Sequence, residues 1–206
     1  MVLSSRMMIV LVTLLVALGP LSTDMYLPSL PAMMEFFSVE VDQVQLTLSS
    51  FLIGFALSQL IYGPLADRFG RKPVIAAGML LFALASLGCA FAESIEGLIV
   101  WRFLQALGGC AGPVLGRAMI RDLYSPLESA RLLSFVASAM SLAPAIGPLL
   151  GGYLVIWFDW QAIFVLLMLY GLALSLIFTL KVPETLPQEN RQPFRLKPML
   201  ANYRTL

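Results

Sequence analysis

Gly63-Pro64-Leu65-Ala66-Asp67-Arg68-Phe69-Gly70-Arg71-Lys72 joins two long apolar runs. This one turn holds an aspartate and three cations, in a chain that is only 12% charged overall. Both flanking runs reach the length of about 20 residues that a bilayer crossing requires. A turn this short between them must therefore lie at a membrane face. Glycines at both of its ends allow close approach of backbone. Lys and Arg in short loops stay on the cytoplasmic side, so Arg68, Arg71 and Lys72 fix which face it is.

Working outward, the same kind of apolar run recurs. Six candidates cover residues 7–27, 46–66, 74–92, 97–119, 132–157 and 161–180. The chain of 206 residues is 59% hydrophobic, and a soluble domain would carry about twice its charged fraction. The runs are too long for barrel strands and lack apolar/polar alternation. The expectation is an all-α membrane protein with six transmembrane helices. The first run ends in Asp24-Met25-Tyr26-Leu27-Pro28, which is no small-residue cleavage site, so a retained helix is expected there rather than a leader.

Charge placement gives the topology. Apart from Arg102, the cations cluster at the N-terminus, at the second and fourth connections, and in the C-terminal tail. The first, third and fifth connections carry Glu35, Glu40, Asp42, Glu93, Glu96 and Asp159 instead, with no Lys or Arg. Both termini are therefore expected in the cytoplasm. Residues 1–182 are expected to form the six-helix bundle. Residues 183–206, with Pro187, Pro193 and Pro198, read as a cytoplasmic linker with a surface helix at its end.

Composition also excludes functions. A net charge of +1 offers nothing to a nucleic acid. Cys89 and Cys110 lie inside apolar runs and read as free buried thiols. With no histidine in the chain, a metal site has almost nothing to use, and any proton carrier must be a carboxylate. No nucleophile–base pair or phosphate loop stands out, so an enzyme is not expected.

Two charges stand out within the runs. Asp24 lies near the outer end of the first. A lipid-facing charged carboxylate costs on the order of 2–3 kcal/mol at the bilayer centre, so Asp24 should face the protein interior or a water-filled cavity. About 27 Å of helix separates it from Arg6, so an interfacial position without a transport role stands as the alternative. Arg102 lies in Leu98-Ile99-Val100-Trp101-Arg102-Phe103-Leu104-Gln105. A guanidinium keeps its proton and needs an anionic or hydrogen-bonding partner, unless it snorkels to the interface. In the fifth run, Gly147-Pro148-Leu149-Leu150-Gly151-Gly152 pairs small residues four apart with a proline that removes a backbone donor and kinks a helix. Generic small-residue packing would account for the spacing but not for the double glycine.

These stretches carry a resemblance. Gly63, Leu65, Ala66, Asp67, Arg68, Gly70, Arg71 and Lys72 resemble motif A of the major facilitator superfamily, G-x-L-a-D-r-x-G-r-k. An ordinary basic turn explains the charges but not Gly63, Asp67 and Gly70 at these spacings. Leu98, Arg102, Gln105 and Gly108 resemble motif B, with Ala106 in place of its usual glycine. Gly147, Pro148, Gly151 and Gly152 resemble motif C, the mark of the antiporter branch, with Ala143 replacing its first glycine. Asp24-Met25-Tyr26-Leu27-Pro28-Ser29-Leu30-Pro31 is similar to the bicyclomycin-resistance-like subfamily of drug:proton antiporters with 12 helices.

The resemblance implies the N-terminal half of such a fold in a bacterial inner membrane. It implies efflux of small drugs by alternating access, driven by the proton gradient with no other cofactor. Asp24 and Arg102 would serve proton coupling. Gly63, Asp67, Arg68, Gly70, Arg71, Lys72 and Asp122 would form a gate, with Asp67 and Asp122 pairing to Arg71 or Arg121. The partners implied are protons, a small-molecule substrate, lipid, and a second six-helix half or a second copy of this chain. Export of amino acids or short peptides is the other transport reading, and a non-transporting membrane subunit or truncated remnant is the reading from another class. Tyr26, Phe51, Gln59, Tyr62, Trp101 and Met119 are candidates for lining a cavity, each also readable as packing.

Overall fold

The structure is a computed structural model that describes residues 5–191. Among the described residues, nine α-helices build six segments long and apolar enough to cross a membrane: Met7–Phe37, Val41–Phe69, Arg71–Ala90, Ile95–Leu123, Pro126–Phe158 and Gln161–Lys181. The helices are α1 (Ser5–Asp24), α2 (Leu30–Phe37), α3 (Val41–Phe69), α4 (Arg71–Ala90), α5 (Ile95–Gly109), α6 (Ala111–Leu123), α7 (Pro126–Met140), α8 (Ala143–Phe158) and α9 (Gln161–Lys181). The linker's expected surface helix lies outside the described residues.

Local chemistry sets the boundaries. Ser94 caps α5 by accepting the Gly97 N–H at 3.1 Å. Ser125 and Glu128 form a reciprocal capping box that starts α7, with Pro126 in its first turn where no N–H is needed. α3 and α4 are separated by Gly70 alone, whose φ of +99° disfavours any side chain.

Residues 29–45, acidic and proline-bearing, read in sequence as an outer loop, but most of them are helical. Pro28 and Pro31 sit in the first turns of a 3-10 turn and of α2, where proline is tolerated, so the true break narrows to Ser38–Glu40. The fifth segment breaks at Ser141–Leu142, because Pro144 has no N–H for the Met140 carbonyl. α8 runs through Pro148 unbroken.

Lipid tails are as apolar as leucine, so burial alone does not drive these helices together; close packing and interhelical hydrogen bonds do. A Cβ on Gly108 would lie 2.4 Å from the Phe82 amide nitrogen, so α5 rests directly on the α4 backbone. Side-chain donors also reach carbonyls on neighbouring helices. Ser50 bonds the Ile99 carbonyl at 3.0 Å, Tyr62 that of Leu107 at 2.7 Å, Tyr170 that of Leu14 at 2.8 Å and Ser175 that of Ala76 at 2.9 Å. These tie α3 to α5, and α9 to both α1 and α4. Outward-facing leucines and isoleucines on α3 and α8 are exposed, as lipid or a partner helix requires.

Gly108→Val should cost about 1–3 kcal/mol through overpacking against α4. In detergent its thermal midpoint should fall well below wild type.

Candidate functional site

At the basic end of the bundle, Arg71 draws three segments together. Its Nη1 pairs with Asp67 at 2.8 Å, one turn back across Gly70, and its Nε pairs with Asp122 of α6 at 3.0 Å. The Arg71 side chain is only 11% exposed, so this pair is better shielded than a surface ion pair. No described ion pair includes Arg121, the other cation considered for these acids. Arg68 lies over the Phe69 ring at 5.1 Å.

A residue that sequence reasoning missed completes the cluster. Glu184, just beyond α9, accepts the Arg71 backbone N–H at 2.9 Å, at the positive end of α4. The same oxygen accepts the Thr185 and Leu186 amides, at 2.9 and 3.0 Å. Its other oxygen lies 3.8 Å from Arg191. A Cβ on Gly70 would come within 2.3 Å of that oxygen, so glycine serves here for space as well as for φ. The only sequence signal was an acid after a proline, 113 residues from its partner.

Arg102 is fully buried. Its Nη1 donates to the Ser22 carbonyl at 3.2 Å and to Gln105 Oε1 at 2.7 Å. Gln105 in turn donates to Ser86 Oγ at 2.7 Å. The guanidinium is sandwiched between the rings of Tyr26 and Phe51, at 4.4 and 4.3 Å, with Phe164 at 5.8 Å. Tyr26 also hydrogen-bonds Thr47. Aromatic faces and carbonyls thus solvate a permanent cation that snorkels nowhere. No described ion pair links Arg102 to a carboxylate, and its Nε and Nη2 have no hydrogen-bond partner. It grips the backbone two residues before Asp24 rather than Asp24 itself.

Asp24 is half-buried at the end of α1, where Thr23 Oγ1 donates to it at 3.2 Å. The end of α1 that carries it packs against α8. A Cβ on Gly147 would lie 2.7 Å from the Asp24 Cβ, and one on Gly151 would lie 2.1 Å from the Met25 carbonyl oxygen. The two glycines thus seat α8 on the acid-bearing end of α1. Gly63 and Gly152 differ, because a Cβ at either would meet nothing within 4 Å.

Of the suggested cavity residues, Tyr26, Phe51 and Met119 are packed in the core, and Tyr62 lines a cleft of about 370 Å³ beside Leu65, Phe69 and Gly78. A cleft of about 560 Å³ lies elsewhere. Val16 and Pro20 of α1, Phe55 of α3, Arg117 of α6, and Val136 and Met140 of α7 line it.

Comparison with known proteins identifies the architecture. Residues 12–204 match the Major Facilitator Superfamily. The chain belongs to that superfamily. It is 38% identical over 97% of its length to a bicyclomycin resistance protein homolog of Haemophilus influenzae, covering 50% of that protein. It is 38% identical over 82% of its length to a chloramphenicol resistance protein of Pseudomonas aeruginosa, covering 40% of that one. The chain thus spans about half the length of the curated relatives it matches. Its fold superposes on a human organic anion transporter with a TM-score of 0.76, over 96% of this chain and 53% of that one, at 23% identity. The chain is therefore a six-helix, multi-pass membrane segment corresponding to the N-terminal half of a facilitator fold.

The turn at Gly70 is held by Arg71 and Glu184, Arg102 is enclosed by aromatic rings, and Gly147 and Gly151 seat α8 on α1. Glu184→Ala should free the segment after α9 by about 1–2 kcal/mol, the scale of a charge-assisted hydrogen bond. Limited trypsin digestion should then cut faster after Lys181 and Arg191 than in wild type.

Proposed function

We propose that this chain forms half of a proton-coupled exporter of small drugs in a bacterial inner membrane, with the basic end of the bundle in the cytoplasm. A second six-helix unit, from further sequence or another copy, would complete the substrate path. Gly63 and Gly152, bare on this half, suit close approach by that unit. The drug reading follows from relatives whose names record resistance to bicyclomycin and chloramphenicol.

The observation that carries the coupling reading is the seat of Asp24 against Gly147 of α8. A carboxylate at that contact changes charge when it gains or loses a proton. It is therefore placed to alter how α1 and α8 pack, which is a chemical basis for alternating access. Arg102 acts one step away. It fixes the backbone at Ser22, so the end of α1 is held from one side while the Asp24 side stays free to respond. The Arg71–Asp67–Asp122–Glu184 cluster would hold the cytoplasmic end closed or open, through contacts small enough to break in each cycle.

Inside-out vesicles carrying the full-length protein test this. With an imposed proton gradient, wild type should accumulate chloramphenicol, and Asp24→Asn should fall to the level of empty vesicles while inserting to the same amount. Undiminished proton-driven accumulation by Asp24→Asn would reject Asp24 as the proton carrier.

A further inference from the structure

The cleft of about 560 Å³ falls within the size range of small-molecule sites. Its walls are apolar apart from one charged side chain, Arg117. Arg117 is exposed, and none of the described ion pairs includes it. The acid nearest to it in sequence, Asp122, is already engaged by Arg71 at 3.0 Å. Arg102 is closed off by its aromatic cage and cannot meet a substrate. The cleft therefore presents an apolar body site and one cation that the described protein does not neutralise.

A guanidinium stays charged at any working pH and binds carboxylate or sulfonate with two parallel hydrogen bonds. Low-dielectric walls strengthen that attraction relative to water. Phe55, Val136 and Met140 supply the surface for a ring system, and methionine adapts to varied shapes. Asp24 lies one helical turn beyond Pro20, about 6 Å along α1, so an anion held at Arg117 leaves the carboxylate separately accessible to protons.

We propose that Arg117 makes this cleft a site for amphiphilic organic anions, molecules with an aromatic body and a single carboxylate or sulfonate. This rests on the export reading above and adds a substrate class to it. Arg117 acts there as a specificity-determining residue, with no part in proton transfer.

Two fluorescent probes that differ by one group test it: 8-anilino-1-naphthalenesulfonate and its uncharged counterpart, N-phenyl-1-naphthylamine. Proton-driven uptake of each is measured in inside-out vesicles carrying the full-length protein as wild type, Arg117→Gln or Arg117→Lys. Wild type should move both probes. Arg117→Gln should raise KM for the sulfonate about tenfold, the scale of one charge-assisted contact, and leave the neutral probe unchanged. Arg117→Lys should recover part of the sulfonate transport. The proposal is overturned, with the export reading intact, if wild type moves only the neutral probe. It is overturned equally if Arg117→Gln treats both probes as wild type does, or loses both alike. If wild type moves neither probe nor chloramphenicol, the export reading itself fails and the proposal falls with it.

Discussion

Helices in lipid gain little from burying apolar side chains against one another, so this bundle depends on how closely its backbones can approach. Glycine sets that distance. Gly108 lets α5 rest on α4, and Gly147 and Gly151 let α8 rest on the end of α1. The latter contact matters for chemistry because the residues it touches are Asp24 and Met25. A bulky side chain on either face would separate the acid from the helix that could respond to its charge. The same small-residue logic leaves Gly63 and Gly152 uncovered on this half, where a further helical unit would come close.

Charge is handled in two ways. At the basic end, Arg71 pairs with the carboxylates of Asp67 and Asp122, and Glu184 accepts backbone amides. Inside the bundle, Arg102 has no carboxylate partner among the described residues and is held by rings and carbonyls instead. Such a cage immobilises a charge without offering it to a ligand. Arg117 is the contrast: the same residue type, left bare in an apolar cleft.

Much of this was legible in the sequence. The spacing of Gly63, Asp67 and Gly70 announced a tight basic turn, and the turn is a single residue, Gly70, with the Arg71–Asp67 pair across it. Arg102 could be read as a charge that is either partnered inside the protein or snorkelling, because lipid does not solvate it. Other features left no local trace. Glu184 caps α4 from 113 positions away, and nothing in its own segment points to Gly70. The connection after Asp24 looked like a loop because of its acids and prolines. Those prolines sit in first turns, where they start helices rather than end them. Pro144 outweighed Pro148 in breaking the fifth segment because it stands at the start of α8, where the preceding helix can simply end. The cleft around Arg117 draws on α1, α3, α6 and α7, a combination that no periodicity reveals.

The central claim is that drug binding and the charge of Asp24 are coupled through the contact of α1 with α8. It is tested most directly by counting protons released when drug binds to the purified full-length protein in weakly buffered detergent solution. The account predicts that saturating chloramphenicol releases protons from wild type and none from Asp24→Asn. Equal release from both proteins would contradict it and would assign the coupled proton to another group.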